Sequence, residues 1–247
     1  FLDFAREHGA DFVATGHYAQ IKDVGSQQVL CRGVDKNKDQ SYFLWSLTQA
    51  QLQHILFPVG DSIKENIRKE AKEAGLPTAV KKDSQGICFL GAVDIPEFLR
   101  HFVKLEAGAV LNEKGERIGT HDGAIAYTLG QRHGFTIDCK TSGETPHYVV
   151  QKDIKKNTIT VNAEPPRVDA SGVIKLHQVN WQVVPEQSDV QKAQFRYRQK
   201  PFKIHMKNLD GEHCEVELKE AVEQPAKGQS CVIYVGEQCL GGGIISE

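Results

Sequence analysis

Along the first hundred residues, apolar positions recur at helical and buried-strand spacing; from about residue 108 onward they mostly alternate, one side chain in and the next out. Phe1, Leu2, Phe4 and Ala5 read as the end of a core-facing helix that Gly9 stops, so the chain reads as starting inside an element and lacking its N-terminal part. Asp11 to Tyr18 reads as a short buried strand opening into a loop at Thr15-Gly16-His17. Three helices are announced by start signals: Thr48-x-x-Gln51, Ser62-x-x-Glu65 and Asp94-x-x-Glu97, with Gly75 and Pro77 ending the second. Strands alternating with helices predict a parallel sheet with helices on its faces.

Past Gly108 the pattern predicts hairpins at Asn112-Glu113-Lys114-Gly115 and around Lys155-Lys156-Asn157, with a short helix over Ala124 to Arg132 between them. The proline-rich stretch Ala163 to Arg167 marks a boundary. From Val173 to Ile245 short alternating segments predict a small β-barrel. The fold class is α/β plus β, in three parts: 1–97, 98–166 and 167–247.

A chain of 247 residues with 40% apolar residues is able to bury a core, and its net charge of −2 does not announce a nucleic-acid partner, so any RNA surface has to be local. No apolar run approaches the roughly 20 residues of a membrane-spanning helix, and no signal peptide opens the chain, so the expectation is a cytoplasmic protein without a membrane partner. The six cysteines lie far apart without a C-x-x-C pair, which speaks against a structural metal and against a disulfide framework.

Three segments offer chemistry. In Lys81 to Leu90 a cysteine, Cys88, follows a glycine turn near two lysines, where positive charge and backbone amides favour a thiolate; the competing reading is a small buried residue between Ile87 and Phe89. Gly33 to Phe43 is a polar loop whose groups suit phosphate or base-edge contacts, or simply water. Lys192 to Lys207 carries six cations and no acid; on a strand, Arg196 and Arg198 would share a face beside Tyr197 and Phe202, which suits stacking on unpaired bases. The run Gly241-Gly242-Gly243 reads as a tight bend between strands.

Ala14-Thr15-Gly16-His17-Tyr18, Lys36 to Leu44, Leu56 to Gly60, Lys82 to Phe89, Tyr127 to Arg132, Arg196-Tyr197-Arg198-Gln199 and Cys239 to Ile245 together, in order and spacing, resemble the bacterial tRNA-specific 2-thiouridylases. The resemblance implies the C-terminal part of a Rossmann-like PP-loop ATP-pyrophosphatase domain, a small mixed central tRNA-binding domain and a C-terminal β-barrel. It implies ATP and magnesium as cofactors, the anticodon arm of tRNA as partner, and a sulfur-donor relay protein or cysteine desulfurase as sulfur source. It further implies a persulfide on Cys88, ATP at Gly16, and tRNA at His17, Lys38, Asp39, Gln40, Arg196, Tyr197 and Gln229, with no metal ligands in the protein. The family's Ser-Gly-Gly-x-Asp-Ser loop does not occur in these 247 residues, and its second catalytic cysteine is expected just before residue 1, so the chain by itself is expected to be inactive. The competing readings are a non-catalytic RNA-binding module and another PP-loop RNA-modifying enzyme.

Overall fold

A computed structural model describes residues 1–81, 95–138, 146–184, 186 and 190–246. Helix α1 (Leu2–Glu7) ends where Gly9 turns left-handed at φ 82°, and β1 (Val13–Ala14) follows. The hairpin β2 (Ala19–Val24) and β3 (Gln27–Arg32) comes next, then a 3-10 turn at Ser41–Leu44, α2 (Gln49–Leu52), β4 (Ile55–Leu56) and α3 (Lys64–Glu73). The capping box predicted for Thr48 and Gln51 is formed in both directions. Ser62 does not cap α3: its hydroxyl donates to Asp61, and Ile63 is the N-cap. The orphan amide of Lys64 is instead satisfied from outside the helix, by Asp35 Oδ2 at 3.0 Å.

Helix α4 (Ile95–Arg100) begins the next stretch, and the cap expected at Asp94 lies outside the described residues. Strands β5 (Gly108–Leu111) and β6 (Arg117–His121) form the first predicted hairpin, with Gly115 at φ 79°. After β7 (Phe135–Ile137) come β8 (Tyr148–Asp153) and β9 (Thr158–Asn162), the second hairpin, with Asn157 at φ 53°, then β10 (Arg167–Val168). The helix expected over Ala124 to Arg132 is a 3-10 turn of Ala124–Ala126. It stops there because Gly130 donates to Val149 O and Gln131 O accepts from Val149, which draws the segment into strand-like pairing.

The last third is β11 (Val173–Trp181), β12 (Gln191–Gln194), β13 (Phe202–Lys207), β14 (His213–Leu218), β15 (Val222–Glu223), β16 (Ser230–Val235) and β17 (Gln238–Ile245).

Two compact units result. The first comprises 1–81, 169–220 and 227–247, and the second 82–168 and 221–226. In the first, six strands in the order β11-β14-β13-β12-β16-β17 close into a barrel through a further β11–β17 pairing, and the hairpin β3-β2 extends the same sheet beyond β17. Closure requires glycine: a Cβ on Gly241 would lie 2.0 Å from Asn180 O, and one on Gly242 2.2 Å from Cys231 O. The glycine run is thus part of a strand at the barrel seam rather than a bend between strands. Strands β1 and β4 pair in parallel beside this assembly. The second unit is a five-stranded sheet, β7-β6-β5-β9-β8, packed on Val110, Tyr127, Val149, Ile159 and Val161, with β10 pairing β15.

The basic segment 192–207 is not one strand. It is the hairpin β12–β13, with residues 195–201 forming its turn and Arg198 at φ 64°. Gln199 shapes that turn: its Oε1 accepts from Phe195 N at 2.7 Å and its backbone N–H donates to Arg196 O. Phe202, expected beside the cations, is buried against Phe195 with ring centroids 4.8 Å apart.

Candidate nucleic-acid interface

The polar loop after β3 is folded around two carboxylates. Asp35 accepts from Asn37 N through Oδ1, making a local turn, and caps α3 through Oδ2. Asp39 is buried; it accepts from Arg32 Nη1 (2.9 Å), Gly33 N (3.1 Å), Ser41 N (3.1 Å) and Ser41 Oγ (3.1 Å). A carboxylate offers about four acceptor sites, so this one organises the loop with all of them. Gln40 ties the loop to Tyr18, just ahead of β2, its Oε1 accepting from Tyr18 N at 3.1 Å and its backbone N–H donating to Tyr18 O.

Arg32 joins this loop to the barrel. Besides Asp39 it donates from Nη2 to Gln194 Oε1 at 2.8 Å, and its guanidinium lies 3.7 Å from the Tyr234 ring centroid. The Arg32 and Asp39 side chains are 13% and 7% exposed, so the pair sits in a medium where losing one partner is costly. Tyr42 adds a second joint, its hydroxyl 2.9 Å from both Phe195 O and Ser230 O, the acceptors that share its one proton. Burial pushes the Tyr42 hydroxyl up to about 12, with the Arg196 charge opposing, so it remains a donor at neutral pH.

Between the loop and the 195–201 turn lies a cleft of about 510 Å³. Five cations, Arg32, Lys36, Lys38, Arg198 and Lys200, line it against Asp39 and Glu237, each of which is ion-paired, to Arg32 and Lys36 respectively. The local cationic surface that the net charge of −2 conceals is here. Tyr197 lines the cleft too, its ring 4.7 Å from Phe43 and 5.2 Å from the Arg198 guanidinium.

Of the expected site residues, Lys38, Asp39 and Tyr197 line this cleft, and Gln40 and Arg196 adjoin it in the chain. Gln229 precedes Ser230, the residue whose carbonyl Tyr42 holds. Gly16 and His17 sit apart from the cleft, at the end of β1. Gly16 is exposed, with nothing within 4 Å of where a Cβ would stand, so a ligand has room to approach its backbone. His17 Nδ1 shares a hydrogen bond with Thr15 Oγ1 (2.8 Å); its ring meets Phe57 edge-on, and burial lowers its pKa. Cys88 lies outside the described residues. Among the described residues no cluster of three or more His, Cys, Asp or Glu could hold a metal, and no helix is long and apolar enough to cross a membrane.

Sequence reasoning missed Arg32, Gln194 and Phe43. Arg32 directly follows the apolar run Val29-Leu30-Cys31, a cation where a buried strand ends, and that was the available signal.

These parts match three family models in series: the tRNA methyl transferase HUP domain over residues 1–92, the tRNA methyl transferase PRC-barrel domain over 96–163 and the aminomethyltransferase beta-barrel domain over 171–245. The class is therefore a HUP domain followed by a PRC-barrel-like and a β-barrel domain. The chain is 44% identical over 254 aligned positions to the tRNA-specific 2-thiouridylase MnmA of Klebsiella pneumoniae, and 43% identical over 253 to those of Escherichia coli and Shigella boydii. Each comparison covers 100% of this chain and 68% of the relative. The chain belongs to the tRNA-specific 2-thiouridylase family.

Proposed function

We propose that this chain acts in tRNA 2-thiouridine synthesis, as the tRNA-holding and sulfur-carrying portion of a tRNA-uridine 2-sulfurtransferase working in the cytoplasm. The observation that carries this is the convergence of the 33–43 loop and the 195–201 turn on one cationic, aromatic-edged cleft. Phosphate-facing cations beside a π surface are what an unpaired stretch of RNA, such as an anticodon loop, requires. Within that reading Lys38, Gln40, Arg196, Tyr197, Gln229 and His17 face tRNA, while Asp39 serves by holding the loop in shape.

Carbon 2 of uracil is a urea-like carbonyl whose oxygen leaves poorly. ATP, with magnesium, supplies an adenylyl group that makes this oxygen a leaving group, and Gly16 gives it an open backbone to approach, in keeping with a PP-loop domain. The terminal sulfur of a Cys88 persulfide, loaded by a relay protein or a cysteine desulfurase, then attacks carbon 2 as AMP departs. A second cysteine thiolate attacks the Cys88 sulfur and forms a disulfide with it. The electron pair of the broken sulfur–sulfur bond stays with the uridine's new sulfur. The four described cysteines do not suit the role: Cys31, Cys214, Cys231 and Cys239 are buried free thiols. Burial pushes the pKa of all four up, to about 12 for Cys214 and Cys239, which keeps them protonated and unreactive at neutral pH.

In an enzyme that also contains the ATP loop, Cys88→Ser should bind tRNA and ATP yet form no 2-thiouridine when nucleosides are measured by mass spectrometry. Normal thiolation by that variant would refute the Cys88 assignment. Residues 1–247 alone should bind tRNA and release no AMP; AMP release at an enzyme-like rate would show that the Ser-Gly-Gly-x-Asp-Ser loop is dispensable.

A further inference from the structure

Phe43 stands out among the aromatic residues of the 41–57 segment. Tyr42, Leu44, Trp45 and Phe57 pack against the buried cluster of Ala19, Leu30, Leu52 and Tyr234, whereas Phe43 is 53% exposed. It is nonetheless held in place. Its amide donates to Gln40 O, the Tyr42 hydroxyl pins the same turn to the barrel, and its ring lies against Tyr197 at 4.7 Å, tilted 44°. Tyr197 in turn sits in the turn fixed by Gln199, next to Arg198, whose φ of 64° is a backbone that a non-glycine residue adopts only when its surroundings impose it. Two aromatic rings from distant parts of the sequence therefore meet beside a cleft that Tyr197 itself and five cations line.

We infer that Phe43 and Tyr197 form a preassembled platform on which an unpaired nucleobase of the bound RNA stacks, while the cleft cations take the adjoining phosphate. The inference rests on the RNA-binding reading above and adds to it a base-stacking subsite centred on Phe43. A π face is needed, since a base gains from stacking on any aromatic ring and gains less from an aliphatic side chain of similar size. Because the rings are already packed and their turns are tied by hydrogen bonds, little ordering cost opposes binding. An acidic protein segment would use the cations but has no use for a paired aromatic face of which Phe43 is the exposed half.

The test is fluorescence anisotropy of unmodified tRNA with residues 1–247 across a salt series, for wild type, Phe43→Leu, Phe43→Trp and Lys200→Gln. Phe43→Leu should weaken binding roughly tenfold with an unchanged salt slope, because no counterion release is lost. Phe43→Trp should restore affinity, and tRNA should quench the emission it adds over wild type. Lys200→Gln should reduce the salt slope by about one. Circular dichroism identifies a misfolded Phe43→Leu, in which case the quenching of Phe43→Trp decides. Wild-type affinity in Phe43→Leu, or an added emission that tRNA leaves unchanged, overturns the platform while leaving the RNA interface standing. If the wild-type chain does not bind tRNA, the interface reading itself falls. If polyglutamate binds and loses affinity equally in Phe43→Leu, the base assignment is wrong.

Discussion

In β16 four successive residues, Cys231 to Tyr234, are buried, whereas β1 contributes two residues to a two-stranded sheet and buries one of them, Val13. Both belong to the same compact unit. The barrel strand is covered on both faces: one lines the closed barrel, and the other carries Val232 and Tyr234 into a cluster with Ala19, Leu30 and Leu52 of the N-terminal segment. The β1–β4 segment leaves Phe4, Phe12 and Leu56 exposed. The difference teaches where stability resides. Closure removes strand edges and satisfies the backbone internally, and the N-terminal hairpin is added to that closed sheet through β17. Around β1 only Val13 is buried, and its strand pairs with β4 alone.

The sharpest way to break this contrast is at the barrel seam. Gly242→Ala would place a methyl 2.2 Å from Cys231 O, a backbone atom that cannot move without opening the β16–β17 ladder. The expected loss is about 4 kcal/mol in urea unfolding, at the upper end for a single substitution. A loss below about 1 kcal/mol would mean that the seam is looser than its geometry.

Next in size is the joint between the loop and the barrel. Asp39→Ala leaves the Arg32 guanidinium buried without its carboxylate and frees the donors of Gly33 and Ser41, an expected cost of about 3 kcal/mol. Arg32→Met with Asp39→Leu should cost less than Asp39→Ala alone, since no uncompensated charge remains. If the double variant is the worse of the two, the joint depends on the hydrogen bonds to the loop backbone more than on charge.

This joint also marks the limit of what could be read from sequence. Thr48-x-x-Gln51, the Gly115 turn and the alternation of Cys214-Val216-Leu218 are local codes, and the structure follows them. Ser62 carries the same local code as Thr48, yet a carboxylate 27 residues upstream takes its place, a competition that no window around Ser62 contains. The basic segment looked like one strand because its composition is uniform; the side chain of Gln199 closes a turn inside it. The cation-rich stretch was legible as a place of interest, but its aromatic partner was misassigned. Phe202 and Phe43 are equally aromatic in sequence, and only the path of the hairpin decides that the first packs inward and the second faces out. In β16 both registers are apolar, which signals cover on two sides and not what supplies it.

A smaller effect is expected from pH at the end of β1. Burial lowers the His17 pKa from its ordinary 6.5. Well above 6.5 the ring is neutral in folded and unfolded chains alike, and the folded state keeps its full stability. As pH falls below 6.5 the unfolded chain takes up the proton first, so stability is lost until the folded-state pKa has been passed. His17→Gln should remove that part of the acid-side decline, and NMR of the imidazole should show titration below 6.5. A midpoint above 6.5 would reverse the sign and place an acid near the ring.

The smallest change in stability, and a clear one in behaviour, is expected on the exposed apolar surface. Phe4 is 61% exposed; its ring touches only its helix neighbour His8 among the ring contacts described, at 4.2 Å. Phe12 stands half out of a cleft of about 510 Å³ that Ile21, Ile55 and Leu56 also line. Neither residue is in a buried cluster, so replacing either by serine should change unfolding free energy by no more than about 0.5 kcal/mol. Exposed apolar area of this kind drives association between molecules. The double variant Phe4→Ser with Phe12→Ser should therefore sediment as a smaller or more uniform species than wild type at equal concentration, with its unfolding midpoint unchanged. A midpoint that drops by the amount expected for a core phenylalanine, on the order of 3 kcal/mol, would show that the β1 region is packed as tightly as the barrel and would erase the contrast between them.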